Sequence, residues 1–265
     1  MCLMLFAPVI LELAEFWMKD SDYSHGFFVI PVSIYMVWTR RTLIQDLFLK
    51  PEWSGLFMLI AASASYIVSV EIKFHTMTYL SMLLFIFSLL LFIAGWPITK
   101  KLLAPLLFLF FMFPIPSTYY LVLTHSLKLF VTDLSVLIIR LFEIPIYKEG
   151  NLIYMPELQL EVDEACSGLR SLYSYMMLSC IFAWFSDGFI RRLVLIVSAA
   201  VLAIGINVFR VSFTGILSSL YGVKVAQGFF HEFVGIIMFS IGFLLLFSEY
   251  CLIGSLSWKR KQLNN

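Results

Sequence analysis

The stretch Leu80–Ile93, with the sequence LSMLLFIFSLLLFI, contains no charged side chain, and a second apolar run follows at Leu102–Phe113. Hydrophobic residues make up 61% of the chain and charged residues 13%, whereas a soluble domain carries roughly 45–50% and about 25%. Apolar runs of about 20 residues predict transmembrane helices, and several lie in tandem here. The sequence therefore predicts an all-α, polytopic transmembrane helical bundle. The longest polar stretch, 147–164, is too short to bury a core of its own, so residues 1–265 are predicted to form a single transmembrane domain.

Eight spans are predicted from the apolar runs and the polar breaks between them: 1–18, 24–39, 54–71, 76–95, 102–120, 165–185, 193–212 and 231–252. Basic clusters follow every second span, at 40–50, 100–101, 191–192 and 259–261. The positive-inside rule places these connections and both termini in the cytoplasm, and the remaining connections outside. Because two spans separate each cluster from the next, all four clusters lie on the same side of the membrane, which supports the count of eight spans.

The segment 119–142 is apolar enough to span a membrane but carries both basic and acidic side chains. Counting it as a span would place the basic pair 191–192 outside. The charge parity therefore favours an amphipathic helix that lies on the outer face or dips into it, with a span as the alternative. The polar stretch that follows alternates apolar and polar residues over 152–162, which predicts a short hairpin before the sixth span.

Three chemically active side chains share one predicted depth. The helical rise from Asp187 back to Cys166 is about 31 Å, and the rise from Arg192 to Arg210 is about 27 Å, whereas the hydrocarbon core is about 30 Å thick. His231 begins the eighth span from outside. Cys166, Arg210 and His231 are therefore predicted to meet at the outer face of the bilayer. The topology came from loop charges alone, so this agreement is independent of the three residues.

Cys166 differs from the other cysteines. Of the four in the chain, three lie in apolar runs, where a cysteine is usually a small buried hydrophobe: Cys2, Cys180 and Cys251. Cys166 lies in VDEACSGLR (162–170), where the first turn of the sixth helix is predicted, and backbone N–H groups and the helix dipole favour a thiolate there. Gly168 would allow a close approach of the backbone or a substrate. A packed cysteine at a helix start is the alternative, which the charged neighbours make weaker.

Arg210 and His231 supply two further chemical functions. A guanidinium can hold a thiolate, a carboxylate or an oxyanion. Snorkelling to lipid headgroups is the alternative for Arg210, but it does not explain Asn207, three residues earlier on the same face. His231 can deprotonate a thiol and later protonate a leaving amine, the alternative being an interfacial histidine without a catalytic role. Glu232 lies about 100° further round the helix and need not be its partner.

The motifs that carry these residues resemble the signature blocks of the exosortase/archaeosortase family: EACSGLRSL (164–172), NVFRV (207–211) and HEFVG (231–235). Two further segments resemble family blocks in the same order, SHG at 24–26 and FPIP at 113–116. The resemblance runs from about residue 17 to residue 250. The SHG block favours the bacterial exosortase branch.

The resemblance implies a membrane cysteine protease-transpeptidase with Cys166, Arg210 and His231 as catalytic residues. Its substrates would be secreted proteins that carry a C-terminal tripartite signal of a short motif, a transmembrane helix and a basic tail. Cleavage would occur at the outer face of the bacterial inner membrane, with a surface glycan or lipid as a candidate acceptor, and many relatives are associated with exopolysaccharide production. Further residues are assigned to substrate binding or to support of the site: Asn207, Arg170, Ser167, Gly168, His25 and Glu232. His25 is also a second candidate base.

Two other functions remain as alternatives. An outer-face acyl- or glycosyl-transferase would use a histidine and polar groups but would not need a cysteine. A non-enzymatic subunit for exopolysaccharide export would carry polar residues through the depth of the bilayer, whereas here they cluster at one boundary. The few cysteines and histidines make no metal-ligand set, and we expect no cofactor. The apolar runs predict that membrane lipid surrounds the chain. The sequence lacks a basic stripe with interleaved aromatic residues, so no nucleic-acid partner is predicted.

Overall fold

The structure is a computed structural model that describes residues 6–20, 22–42, 49–156, 158–162, 168–222 and 229–263. The main helices are α1 (Ala7–Lys19), α2 (Gly26–Thr39), α3 (Trp53–Glu71), α4 (His75–Ala94), α5 (Trp96–Phe108), α6 (Ser117–Arg140), α7 (Leu169–Phe185), α8 (Phe189–Tyr221) and α9 (Phe229–Leu263). Three short strands lie between α6 and α7: β1 (Tyr147–Glu149), β2 (Leu152–Met155) and β3 (Leu158–Glu161).

The helices confirm the predicted all-α polytopic bundle. Within the described ranges, 5 helices are long and apolar enough to cross a membrane: Trp53–Glu71, His75–Ala94, Ser117–Arg140, Phe189–Tyr221 and Phe233–Gly254. The helix Gly26–Thr39 is apolar but shorter. The predicted count of eight spans agrees roughly with these helices. Several helices that can cross a membrane make the protein a multi-pass membrane protein.

The distribution of polar and apolar side chains on the helices is that of a protein in lipid. Buried hydroxyls on Ser69, Ser88 and Thr132 donate to carbonyls three or four residues earlier, at 2.8, 2.6 and 2.7 Å. Large apolar side chains face outwards instead, with Phe57 72% exposed and Val201 67% exposed. In a bilayer, packing of small residues and hydrogen bonding hold helices together, because lipid tails are as apolar as the side chains.

The chain divides into two compact units, Met1–Pro116 and Ser117–Asn265. In the first unit α3 and α4 pack along each other, and long-range hydrogen bonds join α1 to the 3-10 turn that follows α5 and join α2 to α5. The Nε1–H of Trp17 donates to the Met112 carbonyl at 2.8 Å, and the Ser33 hydroxyl donates to the Pro105 carbonyl at 2.9 Å. The single-domain assignment of 1–265 stays a prediction.

The predicted span 102–120 is wrong in its bounds. The structure starts α5 at Trp96, ends it at Phe108, adds a 3-10 turn at Leu109–Met112 and begins α6 at Ser117. Proline has no N–H to donate and disfavours a helical residue before it. The FPIP motif at 113–116 therefore separates two helices.

In the second unit, α7, α8 and α9 pack together, and α6 packs on α8. A fully buried cluster joins the three helices through Tyr175, Ala199, Ala203 and Leu246, each 0% exposed. A second buried cluster joins α6, the strands and α8. The Ser135 hydroxyl of α6 also donates to a carbonyl of α8 at 3.3 Å.

The hairpin predicted before α7 is confirmed and extends to three antiparallel strands in the order β1-β2-β3. Glu149 pairs with Leu152 across a two-residue loop, whose first residue, Gly150, has φ of +60°. Short hairpin loops need a positive φ at this position, which glycine adopts without strain. Ile153 on β2 is 0% exposed within the second cluster, so one face of the sheet packs on the helices.

The segment 119–142, predicted as an amphipathic helix at the outer face, belongs almost entirely to α6. At 24 residues, α6 is long and apolar enough to cross a membrane, so its length supports the span that the sequence left as the alternative. The shorter α5, which covers the first part of the predicted span 102–120, is not among the helices long enough to cross. In the predicted count α6 therefore replaces that span, and the charge parity is unchanged. The C-terminal half of α6 packs on α8 at Val208 and Gly215. This half therefore lies at the level of Arg210.

Candidate active site

Asn207 and Arg210 occupy the centre of the candidate site, on the uninterrupted helix α8. Asn207 is 2% exposed and Arg210 is half-buried. A separation of three residues places both side chains on one helix face. A buried amide and a partly buried guanidinium therefore lie side by side in an otherwise apolar helix.

Gly168 brings the cysteine motif against Asn207. It is the N-terminal cap of α7, with φ of +83°, a conformation that strains any residue with a Cβ. A Cβ added there would lie 2.7 Å from Nδ2 of Asn207 and 3.0 Å from its Cγ. Two separate features favour glycine at this position: the positive φ of the backbone and the contact with Asn207.

Gly235 brings the histidine motif against Arg210. A Cβ added at Gly235 on α9 would lie 3.6 Å from Nη1 of Arg210, so the guanidinium lies beside the bare backbone of α9. His231 precedes Gly235 by about one turn, on the same helix face. The backbone at His231 and Glu232 is helical, and their side chains lie outside the described part of the structure.

The structure therefore brings the described ends of all three motifs to the Asn207–Arg210 pair. Cys166 and Ser167 lie outside the described residues. The helix α7 begins at Leu169, whereas the sequence predicted a helix start ahead of Cys166. The reason is Gly168, whose positive φ is incompatible with a helical turn.

The chain is anchored on both sides of the segment 163–167. On one side, Val162 is 1% exposed; its N–H donates to the Asn151 carbonyl at 3.0 Å, and its carbonyl accepts from Nδ2 of Asn151 at 3.1 Å. On the other side, Gly168 is packed against Asn207. The three-stranded sheet, through Asn151 in its first loop, thus fixes where the chain enters the cysteine motif.

Two other predicted site residues occupy different surroundings. Arg170 is exposed on the first turn of α7, and its carbonyl accepts from the Ser174 hydroxyl at 3.0 Å. His25 lies in the first unit, where its Nε2 is 3.1 Å from the Phe111 carbonyl oxygen. This contact joins the turn before α2 to the 3-10 turn after α5, and the assignment of His25 to the site stays a prediction.

Sequence reasoning missed the contributions of Gly235 and Asn151. The spacing from His231 to Gly235, one helical turn, was a signal that a small residue lay below the histidine on the same face. Asn151 gave no such signal, because an asparagine after a glycine is ordinary for a hairpin loop. Only the strand register shows that it reaches Val162.

Gly168→Ala is expected to lower the activity of the site by about tenfold to a hundredfold, because displacing a reacting group by 1 Å can cost about that much. A rotamer change of Asn207 would move its Nδ2 but not its Cβ, which would still lie 3.2 Å from the added Cβ. The matched control is Gly188→Ala, since Gly188 also caps a helix with positive φ (+88°) but has open space around it. Initial rates of the purified variants measure the effect, and equal rates for the two variants would show that the Asn207 contact is unimportant.

A family model described as Transmembrane exosortase (Exosortase_EpsH) matches residues 17–248. No curated protein and no solved structure matches the chain. The family match covers both compact units and all three motifs.

Proposed function

The chain belongs to the transmembrane exosortase family, and we propose that it cleaves the C-terminal sorting signals of secreted proteins through a Cys166 thioester. Family membership supports a protease or transpeptidase role in the membrane. The finer proposal is that the substrate carries a short motif, a transmembrane helix and a basic tail, and that cleavage occurs near the motif.

The observation that carries the proposal is the convergence of three motifs on Asn207 and Arg210. Gly168 touches Asn207, and Gly235 lies beside Arg210. Two residues of chain span at most about 7 Å, so Cys166 is tethered close to the buried amide. One turn of helix separates His231 from Gly235, which lies beside the guanidinium. A nucleophile, a base and an electrostatic stabiliser are the groups that acyl transfer requires.

In the proposed first step, the Cys166 thiolate attacks the carbonyl carbon of the scissile peptide bond. A C–S bond forms, and the carbonyl electrons move onto oxygen, where the Arg210 guanidinium stabilises the oxyanion. Asn207 supports the guanidinium from one turn deeper. The C–N bond then breaks, and the His231 imidazolium gives its proton to the leaving amine. The products are a thioester and the released transmembrane helix with its tail.

In the second step an amine or water attacks the thioester. His231, now neutral, accepts the proton of the incoming nucleophile, and the C–S bond breaks to restore the thiolate. An amine acceptor on a surface glycan or lipid gives transfer, and water gives hydrolysis. Ser167, Arg170 and Glu232 are assigned to the surroundings of this reaction by their positions in the motifs.

We further propose that the site faces outward from the bacterial inner membrane and that both termini are cytoplasmic. The helix α8 is continuous from the basic pair Arg191–Arg192 to Arg210, a rise of about 28 Å. That rise matches a hydrocarbon core of about 30 Å. With the basic pair in the cytoplasm, the guanidinium reaches the opposite boundary.

The rival functions make different demands on the same residues. An acyl- or glycosyl-transferase would not need the thiol of Cys166. An exopolysaccharide-export subunit would have no catalytic turnover at all. Both rivals leave the close approach of Gly168 to Asn207 without a chemical reason.

A covalent intermediate is the expected result that tests the thioester. A secreted reporter with an epitope tag ahead of the tripartite signal is expressed with the enzyme, and cells are denatured rapidly at mildly acidic pH. We expect a tagged adduct at the summed mass of enzyme and reporter fragment, which neutral hydroxylamine removes because it cleaves thioesters. Absence of an adduct while the reporter is still processed would contradict the covalent mechanism. The matched control is a reporter without the transmembrane helix and basic tail, which should form none.

A further inference from the structure

Tyr175 is a buried tyrosine far from either end of α7, and its hydroxyl reaches α9. The side chain is 0% exposed, and the hydroxyl donates to the Phe239 carbonyl at 2.8 Å. Its ring stacks on the Phe239 ring, with centroids 5.2 Å apart and planes 21° from parallel. The tyrosine therefore holds α9 by a hydrogen bond and by a ring contact at the same place.

Gly242 provides the space that the Tyr175 hydroxyl occupies. A Cβ added at Gly242 would lie 2.0 Å from the Tyr175 Oη and 2.4 Å from Cδ1 of Ile206 on α8. Three helices thus meet at a notch that only a glycine can form. Ala199 and Ala203, both 0% exposed, allow the ring to approach α8.

The notch lies on the helix face of α9 that carries the histidine motif. Gly242 follows Gly235 by about two turns and His231 by about three turns, within roughly 40° of the same direction. Gly168 precedes Tyr175 on α7 by about two turns, also on one face. A shift of α9 at the notch would therefore move His231 relative to the cysteine motif.

In a bilayer, specific contacts must fix the height of one helix along another. The hydrophobic effect does not oppose sliding of one apolar helix along another in lipid, so packing and hydrogen bonds must set the height. A tyrosine hydroxyl without a partner in an apolar environment is costly, and Phe239 supplies that partner. The hydroxyl, the ring stack and the glycine notch together allow one height and one rotation of α9.

We propose that Tyr175 is a positioning residue, which sets the height and rotation of α9 through the Gly242 notch and thereby places His231 opposite Cys166. The placement of α9 is independent of the reaction. Its catalytic consequence rests on the function proposed above. The placement of α9 and its effect on catalysis are therefore tested by separate measurements.

The first measurement reports the placement of α9 without using the active site. The Ser198 hydroxyl of α8 donates to the Glu249 carboxylate of α9 at 2.7 Å, so Ser198→Cys with Glu249→Cys makes a reporter pair for disulfide formation. The background replaces Cys2, Cys166, Cys180 and Cys251 by serine. Because disulfide geometry is strict, we expect Gly242→Ala to slow oxidation of the pair by about tenfold. Gly254→Ala is the matched control on the same helix, since nothing lies within 4 Å of the position of its added Cβ.

The second measurement reports the catalytic consequence. In a protein that keeps Cys166 as its only cysteine, the alkylation rate at neutral pH measures the thiolate that His231 sustains. We expect Gly242→Ala to lower this rate and kcat by about tenfold or more, with KM near the wild-type value, because misplacement of a reacting group by about 1 Å has effects of this size. Tyr175→Phe keeps the ring and loses the hydrogen bond, and we expect an effect of about two- to tenfold.

A compensating pair keeps the proposal testable if Gly242→Ala folds poorly. Tyr175→Leu removes the Oη and Cζ atoms that the new Cβ would meet and leaves Cδ1 of Ile206 at 2.4 Å. Tyr175→Leu with Gly242→Ala should therefore recover part of the oxidation rate of the reporter pair, and part of the alkylation rate of Cys166, that Gly242→Ala alone loses. Oxidation and alkylation at wild-type rates in Gly242→Ala, with only a lower Tm, would overturn the proposal. Slower oxidation without slower alkylation would overturn its catalytic part alone. Failure of the proposed function itself would show as wild-type processing by Cys166→Ala, a result that is separate from this series.

Discussion

Cys166→Ala is expected to abolish processing of the reporter, with residual activity at least about a thousandfold below wild type, because removal of a catalytic nucleophile costs about as much as removal of the whole catalytic set. The remaining groups, Arg210 and His231, would still bind and polarise the scissile carbonyl, but no acyl-enzyme could form. Quantitative immunoblots of the precursor and the mature reporter measure the effect. Enzyme abundance in the membrane fraction must equal that of wild type.

The matched control for this prediction is Cys180→Ala. Cys180 lies on α7 as a half-buried free thiol and belongs to the apolar part of the helix. We expect its loss to change processing by no more than about twofold, as for a small repacking. Processing by Cys166→Ala at the wild-type level would contradict the cysteine mechanism and favour a transferase that needs only the histidine. Retention of activity in Cys166→Ser would point the same way, since an unactivated serine is a much weaker nucleophile than a thiolate.

The sequence predicted most of the helices because hydropathy is a local property. The runs that became α3 and α4 carry no Asp, Glu, Lys or Arg between their ends, and a bilayer requires a helix for such a run. Interruptions were harder to place. The segment 113–116 contains two prolines, yet the run 102–120 was predicted to be one span, because average hydropathy outweighed the missing N–H groups.

The chemistry of the site was also visible in the sequence, whereas its support was not. Cys166, Arg210 and His231 stand out because ionisable residues within transmembrane segments are rare. The contacts that converge on the site depend on a glycine meeting a side chain far away in the chain: Gly168 at Asn207 and Gly235 at Arg210. A local pattern identifies a glycine but not the residue that fills the space beside it.

The start of α7 illustrates the same limit. The acidic residues before Cys166 looked like caps of a helix that began ahead of it, which is the ordinary interpretation. The structure places the cap at Gly168, where the backbone turns against Asn207. A tertiary contact decides the boundary here.

Arg210→Lys is expected to lower kcat by about a hundredfold or more while KM stays within a few-fold of wild type, since loss of an oxyanion donor has effects of this size. Lysine keeps the charge but lacks the planar fork of five donors. A Cβ added at Gly235 would lie 3.6 Å from Nη1, so the guanidinium lies between α8 and α9. An ammonium on a flexible stem would leave part of that space unfilled and would aim one donor where two are needed.

The outcome distinguishes a catalytic guanidinium from a snorkelling one. An arginine that only reaches lipid headgroups can be replaced by lysine with little loss, and the exposed Arg140 at the end of α6 provides that comparison. We expect Arg140→Lys to process the reporter within about twofold of wild type, as exposed substitutions usually do. A mild effect of Arg210→Lys, equal to that of Arg140→Lys, would remove Arg210 from the mechanism and leave the oxyanion to backbone N–H groups. A large loss of kcat in Arg210→Lys, combined with a normal alkylation rate of Cys166, would assign the guanidinium to the transition state, because the thiolate would then form without it.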